Sequence, residues 1–192
     1  FATKDYSASD KDITITGVSL TGSDKDNYSL TAQPLAAAKI SKRTTTITGV
    51  AGDDREYDGT TAATATFTSQ VIARKITGDT LSVDSGSYSA SFSDKNYSAD
   101  NKTVTITGVA LTGSDKDNYS LTAQPGAVAK ISKRATTITG VAGDDREYDG
   151  TTAATATFTS QVIARKITGD TLTVDSGSYS ASFSDKNYSA DN

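Results

Sequence analysis

The chain repeats itself with a period of 91 residues, and this repetition constrains its fold more than any other feature. Residues 39–101 and 130–192 are identical at all but two positions, and residues 1–38 correspond to 92–129 with more substitutions. A period of this length is that of a small domain and exceeds that of a solenoid coil. An enzyme needs one particular site, whereas an array of near-copies needs none. The repetition therefore favours an extended structural protein.

The same offset predicts the domain organisation. Residues 39–129 form one complete repeat, residues 1–38 are the C-terminal part of a repeat, and residues 130–192 are the N-terminal part of the next. The junction at residues 127–138 contains neither Gly nor Pro. We therefore expect the last strand of one repeat to pass almost directly into the first strand of the next, which would make the array a stiff rod.

Composition excludes several classes of function. The chain has no Cys and no His, which removes Ser-His-Asp and Cys-His nucleophile systems and the usual zinc ligands. The net charge is −4, so no electrostatic footprint for nucleic acid is visible. No run is long and apolar enough for a membrane-spanning helix. The composition thus predicts a protein that is not an enzyme, does not bind nucleic acid and does not insert into a membrane.

Alternating apolar and polar residues predict an all-β fold. In residues 87–93, Tyr88, Ala90 and Phe92 alternate with serines, as in a strand with one buried and one wet face. We expect strands near residues 43–50, 61–68, 70–76, 80–84, 86–93, 103–111, 118–123 and 126–132. The strands 103–111 and 118–123 are predicted to form a hairpin. This number of short strands favours a tandem immunoglobulin-like β-sandwich, with β-grasp-like and other all-β topologies still open.

Several short motifs resemble the YDG-type repeat, a relative of mostly-β glycine-rich modules in filamentous-haemagglutinin-like bacterial exoproteins. They are Tyr57-Asp58-Gly59-Thr60, Gly78-Asp79, Ser89-Ala90-Ser91-Phe92 with Asp94-Lys95-Asn96, the segment 104–113, and Asn118-Tyr119-Ser120-Leu121. The resemblance covers essentially the whole chain. It implies an extracellular or cell-surface location, no enzymatic activity and no known catalytic residue. We assign no cofactor-binding and no metal-binding residue from the sequence. The charged segment 114–117 departs from the small residues of the relatives, which leaves a binding role there open.

Two functional hypotheses follow from the repetition and the resemblance. The first is a structural stalk or fibre segment of a bacterial cell-surface or biofilm-matrix adhesin, with neighbouring repeats or head-to-tail copies of the chain as partners in a rod or filament. The second is a multivalent module that binds host or matrix glycans or a protein, because weak sites at fixed spacing gain avidity.

Clusters of aspartate are the candidate metal ligands. Asp53 and Asp54 lie near Asp58 in the sequence, and Asp115 and Asp117 lie in one predicted turn. Several carboxylates on one loop suit calcium, which takes six to eight oxygen ligands. Neither cluster has the spacing of a known calcium loop, and Asp is common in turns because its side chain caps the local backbone. The sequence therefore favours turn formation, with calcium as the one cofactor to consider.

Tyr57 and the two glutamates are the remaining candidates. Tyr57 precedes Asp58-Gly59, and we interpret it as an anchor of this turn on the core rather than as a ligand-facing aromatic residue. Glu56 and Glu147 are the only glutamates. A glutamate can promote a Lys–Asn isopeptide crosslink, but nothing in the spacing supports that chemistry here.

Overall fold

The computed structural model describes residues 3–187, and these residues form short β-strands joined by turns. The all-β prediction is confirmed. The chain divides into two compact units. Unit 1 comprises Phe1–Asp54, Thr61–Ser93 and Asp100–Lys130, and unit 2 comprises Arg55–Thr60, Asp94–Ala99 and Ile131–Asn192. Within the described range no helix has the length and hydropathy of a membrane span.

Unit 1 contains most of the strands. They are β1 (Lys11–Thr14), β2 (Leu35–Ala38), β3 (Arg43–Thr45), β4 (Ile47–Thr48), β5 (Ala51–Gly52), β7 (Ala65–Thr66), β8 (Val71–Ile72), β9 (Ser82–Asp84), β10 (Ser89–Phe92), β11 (Lys102–Thr107), β12 (Ala110–Thr112), β13 (Tyr119–Leu121) and β14 (Gly126–Ala129). Two 3-10 turns, Lys25–Asn27 and Lys116–Asn118, lie in the same unit. The antiparallel sheet β10–β11–β14 is its largest, and β1–β2, β9–β12, β4–β8 and β5–β7 are antiparallel pairs. The pair β13–β3 is parallel.

The core of unit 1 follows the alternation seen in the sequence. In β11, Val104 and Ile106 are buried while the alternating threonines, Thr103, Thr105 and Thr107, are exposed. Phe92 of β10 lies opposite Val104, and Val104 lies opposite Ala127 of β14. All three of these side chains are buried. Each buried aliphatic side chain contributes about 1.5–3 kcal/mol of hydrophobic stabilisation, so the three-stranded sheet supplies the main packing surface of unit 1.

The predicted hairpin between residues 103–111 and 118–123 is wrong. Strand β11 pairs with β10 and β14, β12 pairs with β9, and β13 pairs in parallel with β3. The turn between β12 and β13 is anchored on Thr80. Asp115 accepts a hydrogen bond from the Thr80 amide at 2.8 Å, and the Asp115 amide donates to the Thr80 carbonyl. The Gln124 side chain bonds both the amide and the carbonyl of Val109, which satisfies backbone groups that a hairpin would have paired.

Unit 2 has shorter strands and a less buried interior. Its strands are β6 (Arg55–Glu56), β15 (Ile131–Ser132), β16 (Ile138–Thr139), β17 (Ala142–Gly143), β18 (Ala153–Ala154), β19 (Ala156–Thr157), β20 (Val162–Ile163) and β21 (Ala181–Ser182). The pair β6–β15 is parallel, and β16–β20, β17–β19 and β18–β21 are antiparallel. Phe183 is 44% exposed, whereas Phe92, its counterpart 91 residues earlier, is 3% exposed. Phe92 lies opposite Val104 of β11.

Two glycines at equivalent positions of the repeat allow a test of the Thr80 contact. Gly113 has φ +114° and Gly22 has φ +113°, so both are in a conformation that disfavours a side chain. A Cβ at Gly113 would lie 2.3 Å from the Thr80 carbonyl oxygen, and a Cβ at Gly22 would have no atom within 4 Å. We expect Gly113→Ala to lower the free energy of unfolding, measured by urea denaturation, by about 1–3 kcal/mol more than Gly22→Ala does. Equal losses in the two variants would contradict the Thr80 contact.

Candidate functional site

The site of interest in unit 2 is a cleft of about 430 Å³ around Asp170, called here the Asp170 cleft. It is lined by Tyr57, Asn96, Tyr97, Lys133, Arg134, Thr136, Arg165, Lys166, Ile167, Asp170 and Leu172. Four cationic side chains and two tyrosines therefore surround one carboxylate. The cleft combines aromatic faces with positive charge, which suits a ligand that has both a flat ring and an anionic group.

The segment Arg55–Thr60 forms one wall of this cleft because it pairs with the start of the second repeat. Strand β6 runs parallel to β15, with Arg55 opposite Ile131 and Glu56 opposite Ser132. The Tyr57 amide donates to the Ser132 carbonyl at 3.0 Å. Main-chain hydrogen bonds of this kind fix the position of the segment independently of its side chains.

A local turn gives the segment its shape. The Asp58 carboxylate accepts hydrogen bonds from the amide and the hydroxyl of Thr60, and it forms an ion pair with Arg55. The Arg55 guanidinium also donates to the Thr60 carbonyl at 2.5 Å. The Thr60 amide, followed by the Thr60 hydroxyl and Arg55, holds the pKa of Asp58 below its usual value. The carboxylate therefore stays ionised and the turn stays closed at neutral pH.

The hydroxyl of Tyr57 reaches the centre of the cleft. It donates to the Asp170 Oδ1 atom at 2.8 Å, and the Lys95 ammonium lies 3.6 Å from the same oxygen. The Tyr57 hydroxyl and the Asp170 carboxylate raise the pKa of Lys95. Tyr57 is half-buried, and it immediately precedes the Asp58-Gly59 turn. Tyr57 thus anchors its turn as predicted, but it does so on Asp170 of the second repeat and not on the core of its own repeat.

Glu56 binds the arginines of the cleft. The Arg165 guanidinium lies 2.7 Å from the Glu56 carboxylate, and the Arg134 guanidinium lies 3.7 Å from it. Arg165 has φ +57°, in the left-handed region that residues with a side chain rarely adopt. Its carbonyl accepts a hydrogen bond from Arg134 at 2.8 Å, which secures this backbone conformation. No sequence pattern predicted this ion pair between Glu56 and Arg165.

Unit 1 carries the counterpart of this site, called here the Asp79 cleft, with a volume of about 520 Å³. It is lined by Lys4, Tyr6, Ile40, Ser41, Arg43, Ile76, Thr77, Gly78, Asp79, Asn118 and Tyr119. Four of these residues, Tyr6, Arg43, Ile76 and Asp79, lie 91 positions before a residue that lines the Asp170 cleft. In both clefts a lysine ammonium covers a tyrosine ring, at 4.9 Å for Lys42 over Tyr6 and 5.0 Å for Lys133 over Tyr97.

The carboxylate of the Asp79 cleft has different partners. Its Oδ2 atom accepts the Tyr119 hydroxyl at 2.7 Å, and its Oδ1 atom accepts the Lys4 ammonium at 3.1 Å. The Tyr119 hydroxyl and then Lys4 hold the pKa of Asp79 below its usual value, while burial raises the pKa of Tyr119. Asp79 therefore remains an anionic acceptor at neutral pH.

Apart from Asp117, the aspartates that the sequence offered as calcium ligands accept hydrogen bonds from backbone amides or hydroxyls. Asp53 accepts the Thr66 hydroxyl at 2.9 Å, Asp54 accepts the Lys130 amide at 2.7 Å, and Asp115 accepts the Thr80 amide. Among residues 3–187, no group of three or more acidic side chains converges in the way that metal ligands do. The expectation that the chain has no cofactor, with calcium as the one to consider, stays a prediction.

The fold and the two clefts define an all-β protein with a repeated tyrosine–aspartate site. Residues 41–126 and 132–192 match the YDG domain family. The chain therefore belongs to the YDG domain family. No curated protein and no solved structure matches the chain at a significant level.

This family match corrects several expectations drawn from the sequence. It points to a DNA-binding domain of the SRA type and not to a repeat of filamentous-haemagglutinin-like adhesins. The stalk or fibre function, the filament and biofilm-matrix roles, and the alternative of a glycan- or protein-binding adhesive module are therefore wrong. The exclusion of nucleic acid as a partner is also wrong. That exclusion rested on net charge, which averages over the whole surface and hides a local cluster of cations.

Tyr57 and its counterpart Tyr148 allow a matched test of the central hydrogen bond. Tyr57→Phe removes the hydroxyl bonded to Asp170, and we expect it to lower the free energy of unfolding by about 1 kcal/mol. Tyr148 is 69% exposed, so Tyr148→Phe is expected to change stability by less than about 0.5 kcal/mol. Urea denaturation of both variants measures the difference. A loss of the same size in both would show that the bond to Asp170 contributes nothing particular.

Proposed function

We propose that this chain binds DNA and that the Asp170 cleft contacts one nucleotide. The proposal is supported by the YDG family match and carried by one feature of the cleft, namely the partly exposed Tyr97 ring, which lies under the Lys133 ammonium and beside arginine side chains. Tyr97 is 47% exposed, so part of its ring is accessible to a base. Aromatic side chains stack on bases, and each such contact is worth about 1–3 kcal/mol.

The charges of the cleft determine the expected mode of binding. Arg165 and Arg134 are partly neutralised by Glu56, and Lys166 donates to the Leu172 carbonyl at 3.0 Å. Lys133 is exposed and has no carboxylate partner among residues 3–187, so it is the cation of the cleft that we expect to meet a phosphate. Since the net charge of the chain is −4, long-range attraction to DNA is weak. Few phosphates are therefore neutralised, and the affinity should fall with salt with the shallow slope of about one phosphate contact.

Fluorescence anisotropy with labelled oligonucleotides tests the proposal. The titrations use one duplex with 5-methylcytosine, the same duplex without it, and the single strand, each at 50 mM and 200 mM salt. We expect binding in the range of non-specific protein–DNA affinity, about 10⁻⁴–10⁻⁶ M. Tyr97→Ala and Lys133→Ala are each expected to weaken it about tenfold, by loss of stacking and of one phosphate contact.

Lys25→Ala is the control for charge. It removes the same charge from an exposed 3-10 turn outside the cleft and should leave the affinity unchanged. Absence of binding to all three oligonucleotides at 50 mM salt would overturn the proposed function. Binding that Tyr97→Ala and Lys133→Ala leave intact would overturn the assignment to the Asp170 cleft.

We further propose that the strands of each repeat stack as the two sheets of an immunoglobulin-like sandwich, in tandem repeats bounded at residues 1–38, 39–129 and 130–192. The antiparallel sheet β10–β11–β14 and the buried residues on its inner face support this arrangement. A crystal structure of residues 39–129 expressed alone tests it, and a barrel or single sheet would overturn it. The absence of enzymatic activity and the extracellular or cell-surface location stay predictions.

A further inference from the structure

Two arginines of the Asp170 cleft converge on a single carboxylate oxygen. The Arg165 Nη2 atom donates to the Glu56 Oε1 atom at 2.7 Å, and the Arg134 Nη1 atom lies 3.7 Å from the same oxygen. Both arginines line the cleft. Among the described residues, no hydrogen bond or ion pair reaches the other carboxylate oxygen, Oε2. One anionic oxygen is therefore held between two guanidinium groups, which is the arrangement in which proteins bind a phosphate oxygen.

The two guanidinium groups are positioned by backbone carbonyls as well as by Glu56. Arg134 donates to the Arg165 carbonyl at 2.8 Å and to the Tyr57 carbonyl at 3.3 Å. Arg165 donates to the Ala135 carbonyl at 3.1 Å. These three bonds do not involve the Glu56 side chain. We therefore expect the arginines to keep their positions when that side chain moves away.

The backbone of Arg165 indicates that its side chain has a use. Arg165 has φ +57°, and its counterpart Arg74 has φ +60°, although this region favours glycine. Residues with a side chain persist in such a conformation where the surrounding structure holds them, and they are concentrated at functional sites. Arg74 bonds the hydroxyl and the carbonyl of Thr44, whereas Ala135, at the matching position, offers Arg165 only a carbonyl. The Arg165 guanidinium thus has fewer fixed partners and keeps more donors for an anion.

The Glu56 side chain is bound weakly, and its main chain is bound separately. The Glu56 side chain is 38% exposed and the Arg165 side chain is 49% exposed, so solvent screens their attraction. The main chain of Glu56 pairs with Ser132, and the next amide, that of Tyr57, donates to the Ser132 carbonyl. The carboxylate can therefore leave the arginines while the wall of the cleft stays in place.

We infer that Arg134 and Arg165 form a phosphate-binding site and that the Glu56 carboxylate occupies it as a built-in competitor. A phosphate that enters the cleft displaces the Glu56 side chain. It presents several oxygens to two planar guanidinium groups, whereas Glu56 presents one, so the exchange gains charge-assisted hydrogen bonds. Where the phosphate belongs to DNA, the inference rests on the proposed function; for free phosphate it does not.

The other charges of the cleft are compatible with this exchange. The Asp170 carboxylate already accepts the Tyr57 hydroxyl and lies 3.6 Å from the Lys95 ammonium. Within residues 3–187, Glu56 is the carboxylate that forms ion pairs with Arg134 and Arg165. Neutralising Glu56 therefore changes the charge that the two arginines present to a ligand more than any other single substitution of a carboxylate would.

Two matched glutamates allow a test with free phosphate. Glu56→Gln and Glu147→Gln each remove one negative charge, but Glu147 is exposed and forms no ion pair with a described residue. Inorganic phosphate is titrated into the isotope-labelled full chain, and the side-chain Nε–H signals of Arg134 and Arg165 are followed by NMR. Sodium chloride at equal ionic strength is the reference. We expect Glu56→Gln to bind phosphate about tenfold more tightly than the wild type, and Glu147→Gln to bind it as the wild type does.

The same variants extend the test to DNA by fluorescence anisotropy. We expect Glu56→Gln to bind the duplex about tenfold more tightly than Glu147→Gln at the lower salt concentration. Its affinity should also fall more steeply with salt, by about one further phosphate contact, because the arginines are free to neutralise one. A purely structural role of Glu56 gives the opposite sign, since loss of the ion pair would then weaken binding.

The outcomes separate this inference from the proposed function. The inference is overturned if phosphate and chloride move the two arginine signals alike, or if Glu56→Gln binds phosphate no more tightly than Glu147→Gln. If Glu56→Gln binds phosphate more tightly and no chain binds DNA, the phosphate site stands and the proposed function fails. If the chains bind DNA and Glu56→Gln binds it no more tightly than Glu147→Gln, displacement of Glu56 by DNA is overturned. If Glu56→Gln does not fold, the comparison of phosphate with chloride in the wild type still decides.

Discussion

Hydrogen bonds from side chains to the backbone hold this fold together, because most of its strands are only two to four residues long. Such strands make few ladder hydrogen bonds, and each backbone group left buried without a partner would cost about 1–3 kcal/mol. The Tyr88 hydroxyl bonds both the amide and the carbonyl of Ala65, at 3.1 Å each. The Tyr119 hydroxyl accepts the Ile76 amide at 2.9 Å while donating to Asp79. Tyrosine thus connects strands that the main chain alone would leave apart.

The clefts arise from the same use of tyrosine. Tyr57 and Tyr119 both direct their hydroxyls to an aspartate that follows a glycine, Asp170 in one unit and Asp79 in the other. The aspartate also accepts a lysine, so an acceptor, a cation and an aromatic ring come together at one surface. The tyrosine, aspartate and lysine side chains that connect the strands therefore also line the two clefts.

Part of this structure was predictable from the sequence. Alternation of Val104 and Ile106 with threonines predicted the buried face of β11, and the structure confirms it, because period-2 patterning depends only on which face is wet. The partner of each strand was not predictable, as the wrong hairpin at residues 103–111 shows. Its partner was decided by Asp115 and Gln124, whose contacts join positions that no local pattern relates. The same holds for the site: the sequence singled out Tyr57, but it could not predict that its hydroxyl bonds Asp170.

The pairing of Arg55–Thr60 with the second repeat also affects the order in which the chain folds. The Tyr57 hydroxyl and the Asp170 carboxylate are separated by 113 residues along the chain, and Arg134 and Tyr57 by 77. Contacts between such distant residues form slowly, because a long loop must close before they contribute stability. During synthesis from the N-terminus, the segment cannot form these contacts until the second repeat has left the ribosome. The folding time of this region is therefore governed by the copy that follows it.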